Sequence, residues 1–181
     1  RVQVLVTAHA RRLGEEFFAD LIGPIRASAA ALSPAEAEVV GRDPRTDIAV
    51  LRTEELGLPE LRWAEDELAV SDSAVVMGYP KSGPFEAAPV RIRGKLEIAG
   101  PDIYTTGRVE REAYTIRGNI RQGNSGGPLL TPGGEVAGMI FGASLDTSET
   151  GYALTAHQVQ QRVGDVRSLT RPADTQACVS G

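Results

Sequence analysis

The sequence predicts an all-β protein, on three observations. Glycine and proline are plentiful, at 20 and 11 of 181 residues, and they cluster between short apolar runs as turns do between strands. Those runs are rich in valine and isoleucine, which suit a pleated surface. Residues 90–98 alternate, with Val90, Ile92, Leu96 and Ile98 on one side, as a half-buried strand requires. With 41% hydrophobic residues the chain can fill one good-sized core or two small ones. No apolar run approaches membrane-spanning length, and no signal peptide is visible. The net charge of −5, without a basic stripe, argues against nucleic acid as a partner.

Taken in order, residues 2–7 form a β-branched run that reads as a strand and ends at His9. Residues 11–31 carry Leu13, Phe17, Leu21 and Ile22 at helical spacing, broken by Gly23-Pro24. Ser33-Pro34-Ala35-Glu36 has the spacing of a helix capping box, whereas Val39-Val40 favours a strand. Residues 41–45 are turn-forming by composition, and residues 46–51 read as a buried strand. Asp43, beside Pro44, suits a plain turn role. Residues 70–79 read as a further strand, closed by Gly78-Tyr79-Pro80 and the flexible residues 81–84. A boundary there divides the chain into residues 1–80 and 81–181. After the strand at 90–98, residues 100–104 read as a turn and loop, and Tyr114-Thr115-Ile116 lies in a strand. Residues 131–134 make a hairpin turn between Leu129-Leu130 and a strand at 136–141. Residues 151–154 are the last strand. Residues 155–163 read as a helix capped by Thr155, with His157 on its solvated face, and a polar tail follows.

The stretch with the strongest chemical signature is Gln122-Gly123-Asn124-Ser125-Gly126-Gly127-Pro128-Leu129-Leu130. A serine hydroxyl is a weak nucleophile that needs a base and a site for the developing oxyanion. A glycine-rich turn supplies that site by aiming two backbone N–H groups, here those of Gly123 and Ser125, at one point. His9 offers an imidazole whose ordinary pKa, about 6.5, suits a general base.

The serine loop resembles the nucleophile loop of the trypsin-like (chymotrypsin-fold) serine proteases, G-[DN]-S-G-G-P-[LIV]. Thr7-Ala8-His9 is similar to that family's histidine strand. The run from Gly41 through Asp43-Pro44 to Asp47-Ile48-Ala49-Val50-Leu51 is similar to the aspartate strand of its HtrA-like branch. The resemblance implies two six-stranded β-barrels with a short C-terminal helix. It also implies a triad of His9, Asp47 and Ser125 in that chain order, with Asp47 orienting His9. No cofactor or metal is implied. A peptide substrate would pair with Phe141, Gly142 and Ala143, and Asn119 would lie at the pocket base. No acidic residue is evident there, so an uncharged side chain is the expected preference. Asn124 stands where many zymogens carry an aspartate that pairs with a new N-terminus. An amide forms no such ion pair, so activation of that type is not expected.

Residues 100–104, 114–117, 141–143 and 177–180 are similar to the actinobacterial membrane-anchored periplasmic proteases of acid resistance. That implies an extracytoplasmic location and an anchor upstream of Arg1. Cys178, the single cysteine, reads as a free tail thiol or as half of a disulfide. The resemblance implies the disulfide, with a partner upstream. Eight residues precede His9, fewer than the family's barrel uses, which leaves the first barrel open to being incomplete at its N-terminus. A peptide-binding protein of the same fold without turnover is the alternative from another functional class.

Overall fold

In the computed structural model the described residues are 37–53, 60–102, 104–144, 147 and 149–174. His9, Cys178, the strand expected at 2–7, the helical stretch at 11–31 and the capping box at 33–36 lie outside them. The described chain is mostly strand with one short α-helix near its C-terminal end, as expected.

The first two strands, β1 (Ala37–Asp43) and β2 (Ile48–Thr53), form an antiparallel hairpin. The next six are β3 (Ser73–Gly78), β4 (Glu86–Pro101), β5 (Arg108–Arg117), β6 (Pro128–Leu130), β7 (Val136–Ala143) and β8 (Thr150–Thr155). They close an antiparallel barrel in the order β3-β4-β5-β8-β7-β6. Closure gives every stave a hydrogen-bonded neighbour on each side over part of its length. Strand β3 hydrogen-bonds to β4 and β6, so its pairing crosses the boundary expected after residue 80. Of the two expected barrels, this one is closed among the described residues. The remaining described strands are the β1–β2 hairpin.

Strand periodicity explains the core. Side chains alternate between faces, and every stave sends at least one into a single cluster. Its members are Ala74 and Val76 of β3, Val90 and Ile92 of β4, and Tyr114 and Ile116 of β5. Leu129, Ile140 and Ala153 complete it from β6, β7 and β8. The opposite faces need separate cover. Val75, Met77, Leu130 and Val136 pack with Phe85, Ala87 and Trp63. Leu154 packs with Ile48 of the hairpin and Val159 of the helix α1 (Ala156–Val163), with Met139 and Phe141 against them. The hairpin and α1 thus shield the β7–β8 wall. The tail that reads as polar also contributes: the Ala173 N–H donates to the Val39 carbonyl at 2.8 Å, and Arg52 donates to the Thr170 carbonyl at 2.7 Å.

Two turns move relative to expectation. Strand β1 runs on to Asp43, and the turn spans residues 44–47. The Asp43 carboxylate causes this by accepting the Arg45 N–H at 3.0 Å and the Thr46 hydroxyl at 2.6 Å. Likewise β4 runs to Pro101, and the turn forms where the Asp102 carboxylate accepts from Tyr104 N, Thr106 N and the Thr106 hydroxyl. These bonds, Thr106 foremost, hold the Asp102 carboxyl below its ordinary range. Because β8 pairs with β5 only from Ala113 onward, residues 97–101 and 108–112 form a two-stranded ribbon beyond the barrel.

Thr155 caps α1 as expected, accepting from the Gln158 N–H at 3.0 Å, and Gly164 closes it by donating to the Gln160 carbonyl at 2.9 Å. The same Thr155 hydroxyl donates to Glu112 at 2.6 Å. That bond, with Lys95 and His157 adding to it, holds the Glu112 carboxyl below its ordinary range. Thr155→Ala is expected to lose about 1–2 kcal/mol in urea unfolding at neutral pH. A carboxylate with a lowered folded pKa contributes stability above its unfolded value and loses it as pH falls through the folded one. The difference between variant and wild type should therefore narrow below the usual glutamate range, leaving the cap itself. An equal difference at about pH 7 and about pH 3 would remove Glu112 from this account.

Candidate active site

The serine loop is built on the end of β3. Tyr79 N donates to the Gly123 carbonyl at 3.2 Å, and Lys81 N donates to the Gln122 carbonyl at 2.7 Å. From the other side, Gly126 N donates to the Ile140 carbonyl at 2.7 Å and Ile140 N donates to the Gly127 carbonyl at 2.9 Å. The loop is held between the β3–β4 corner and β7. Contact is so close that a Cβ on Gly127 would lie 2.0 Å from the Met77 carbonyl oxygen, and one on Gly123 2.2 Å from that of Tyr79. Gly123 also has φ +95, a region that glycine enters without steric cost.

Asn124 braces the loop from inside. It is 3% exposed. Its N–H donates to the Arg121 carbonyl at 3.0 Å, and its side-chain oxygen accepts the Arg121 N–H at 2.8 Å. Its own carbonyl accepts from Gly127 N at 2.9 Å. Arg121 in turn pairs with Glu86 at the start of β4. That pair is half-exposed and worth about 1 kcal/mol at most, but it ties the root of the loop to a barrel stave.

These bonds use the backbone donors unevenly. The N–H groups of Asn124, Gly126 and Gly127 are each engaged. Among the described residues, those of Gly123 and Ser125 donate to nothing. Ser125 itself is exposed. An exposed serine beside two uncommitted amides offers the group types from which a nucleophile and an oxyanion site are built.

The other expected residues take the following places. Phe141, Gly142 and Ala143 end β7. They pair with β8 on one side through Gly142↔Tyr152 and Ala143↔Gly151, with an irregularity at Phe141. On the other side the pairing with β6 stops at Met139. Beyond Ile140 that edge has no strand partner among the described residues. Asn119 is exposed beside Ile120, whose side chain lies over Gly151 at 2.5 Å from where a Cβ would stand. Asp47 is exposed at the end of the 44–47 turn, with φ +63. Its neighbour Ile48 packs in the cluster against which Met139 and Phe141 sit, which sets the turn on the β7 side of the barrel. His157 is exposed, 3.4 Å from Glu112. A cavity of about 260 Å³ lies beside it, lined by Glu65, Asp66, Glu67 and Tyr114 among others. None of the serine-loop residues lines that cavity.

Two features escape sequence reading. The clasp of Asn124 on Arg121 depends on a side chain three residues away that composition does not flag. Arg111, 7% exposed, donates to the Arg45 and Pro101 carbonyls at 2.5 and 2.9 Å. In the sequence it is one arginine among several on a polar-looking strand, and nothing there marks it for burial.

Residues 7–139 match the family described as the trypsin-like peptidase domain. The chain is 44% identical over 148 residues to the serine protease Rv3671c of Mycobacterium tuberculosis (strain ATCC 25618 / H37Rv), covering 81% of this chain and 37% of that protein. It is 34% identical over 108 residues to a probable periplasmic serine endoprotease, DegP-like, of Ectopseudomonas mendocina, covering 59% of this chain and 22% of that protein. The crystal structure of the active form of the M. tuberculosis Rv3671c protease aligns with a TM-score of 0.75 at 43% identity, covering 80% of this chain and 63% of that one. The chain therefore spans little more than a third of the first of these relatives.

The glycines give a graded test of the loop's packing. Gly127→Ala places a methyl group against backbone on β3 and is expected to cost about 3 kcal/mol in urea unfolding. Gly142→Ala, with nothing within 4 Å of the new carbon, should stay within about 0.5 kcal/mol of wild type. Equal costs would refute the close approach of the loop to β3.

Proposed function

The chain belongs to the trypsin-like peptidase family, and from that premise we propose that it is a serine endopeptidase domain acting through His9, Asp47 and Ser125. The observation that carries the reading is the exposed Ser125 in a loop whose Gly123 and Ser125 N–H groups are left uncommitted while their neighbours are engaged. In the proposed reaction His9 takes the Ser125 proton as the oxygen attacks a peptide carbonyl. The oxyanion is held by the two amides, each worth about 3 kcal/mol in the transition state. His9 then returns the proton to the leaving amine. Water, deprotonated by His9, releases the acyl group and restores Ser125. Asp47 accepts the hydrogen bond from the other imidazole nitrogen and stabilises the imidazolium.

The substrate is a peptide or protein segment lying extended along Phe141, Gly142 and Ala143, with an uncharged side chain beside Asn119. The open edge of β7 next to the serine loop supports that placement. We place the protein outside the cytoplasm, in line with the relative named periplasmic, in a stress or acid-resistance role. No helix among the described residues is long and apolar enough to cross a membrane, and the proposed anchor lies upstream of Arg1. Cys178 is proposed to form a disulfide with that upstream region.

A fluorophosphonate probe and a peptide library test the reading in the whole protein. Wild type should label and turn over, Ser125→Ala should do neither, and Asp47→Asn should lose about 10⁴-fold in kcat. A folded wild-type protein that binds peptides but never labels would make it a binding protein. Labelling that survives Ser125→Ala would move the nucleophile elsewhere.

A further inference from the structure

We propose that Arg111 is a positioning residue for Asp47, holding the aspartate's turn against the β4–β5 ribbon. The proposal rests on the assignment of Asp47 to the catalytic set. Burying a guanidinium is costly, and buried cations are ordinarily paired with a carboxylate. Arg111 is 7% exposed, yet among the described residues its recorded partners are two carbonyl oxygens. One belongs to Arg45 in the 44–47 turn, the other to Pro101 at the end of β4. No described carboxylate lies within ion-pair distance of it. Both bonds leave one nitrogen, Nη2, whose two N–H groups point in fixed directions within the guanidinium plane, so they fix the separation of the two segments more firmly than a freely rotating ammonium does.

What it fixes is a strained place. Asp47, two residues beyond Arg45, has φ +63, a conformation that persists only where the surroundings over-determine it. The turn is held from three further directions. Asp43 accepts from Arg45 N and the Thr46 hydroxyl within the turn itself. Arg162 of α1 stands 3.8 Å from Asp43. Arg42 lies 5.7 Å over the Tyr104 ring of the ribbon tip. Thr46, fully buried between these supports, leaves the turn little room to shift. A hairpin turn serving only to reverse the chain needs none of this. Arg111 alone among the supports bonds the turn's backbone directly to the β4–β5 ribbon.

The test uses Arg111→Met and Arg111→Lys in the whole protein, beside Asp47→Asn. Fluorophosphonate labelling and peptide kcat and KM are read per folded molecule. Arg111→Met should label about 100-fold more slowly, the loss expected of a displacement of about 1 Å, with KM little changed. Because a displaced aspartate no longer stabilises the imidazolium, the acid limb of kcat/KM should move to lower pH. Arg111→Lys, able to reach one carbonyl, should recover part of the rate. Arg111→Met in the Asp47→Asn background should add little. If Arg111→Met does not fold, Arg111→Lys alone should still slow labelling and shift the acid limb. Wild-type labelling with an unmoved acid limb in a folded Arg111 variant overturns the proposal, even if thermal stability falls. If Asp47→Asn itself labels normally, the aspartate assignment has failed instead, and the role of Arg111 falls with it.

Discussion

The structure depends on backbone lying against backbone where the serine loop meets the end of β3. Gly127 sits where any side chain would collide with the Met77 carbonyl, and Tyr79 and Lys81 donate into the loop from the same corner. Short-range repulsion leaves a single seating for the loop, and the hydrogen bonds hold it there. Asn124 completes the seating by turning its amide inward on Arg121. The consequence is electrostatic. Amides facing inward are consumed by the packing, and those of Gly123 and Ser125 are left outside it.

That seating requires a barrel that does not deform. Interior packing drawn from all six staves and closure of the sheet supply it. The outer wall of β7 and β8 is apolar enough to need cover, and α1 and the β1–β2 hairpin provide it through Val159 and Ile48. Hydrophobic burial thus brings the hairpin, with Asp47 next to Ile48, against the outer wall of β7 and β8. One apolar contact does both the covering and the placing.

Much of this is legible in the sequence, for a physical reason in each case. Alternation at residues 90–98 and the β-branched runs fix strand faces, because the strand repeat is two residues. The Thr155 cap and the Thr131–Gly134 turn are local, and local chemistry is written in neighbouring residues. The serine loop is legible because close approach and positive φ leave few residue types able to occupy it. The turns at residues 44–47 and 104–107 lie further along the chain than composition places them. In both, a single carboxylate, Asp43 or Asp102, gathers the donors that follow it and lets the preceding strand run on. The burial of Arg111 is illegible because it depends on a carbonyl 66 residues away. The barrel membership of β3 is hidden by the Pro and Gly residues after it, which mark the corner into β4.

Strand β4 is a single run of 16 residues, about 50 Å at the usual rise. At its first residue, Glu86, it grips the root of the loop that bears Ser125. At its last, Pro101, it is tied through Arg111 to the turn that bears Asp47. Its one register shift lies between Ile92 and Gly94, where an extra residue bends the strand and interrupts its ladder. Two distant attachments therefore share one ruler, and the ruler's bend sits between them.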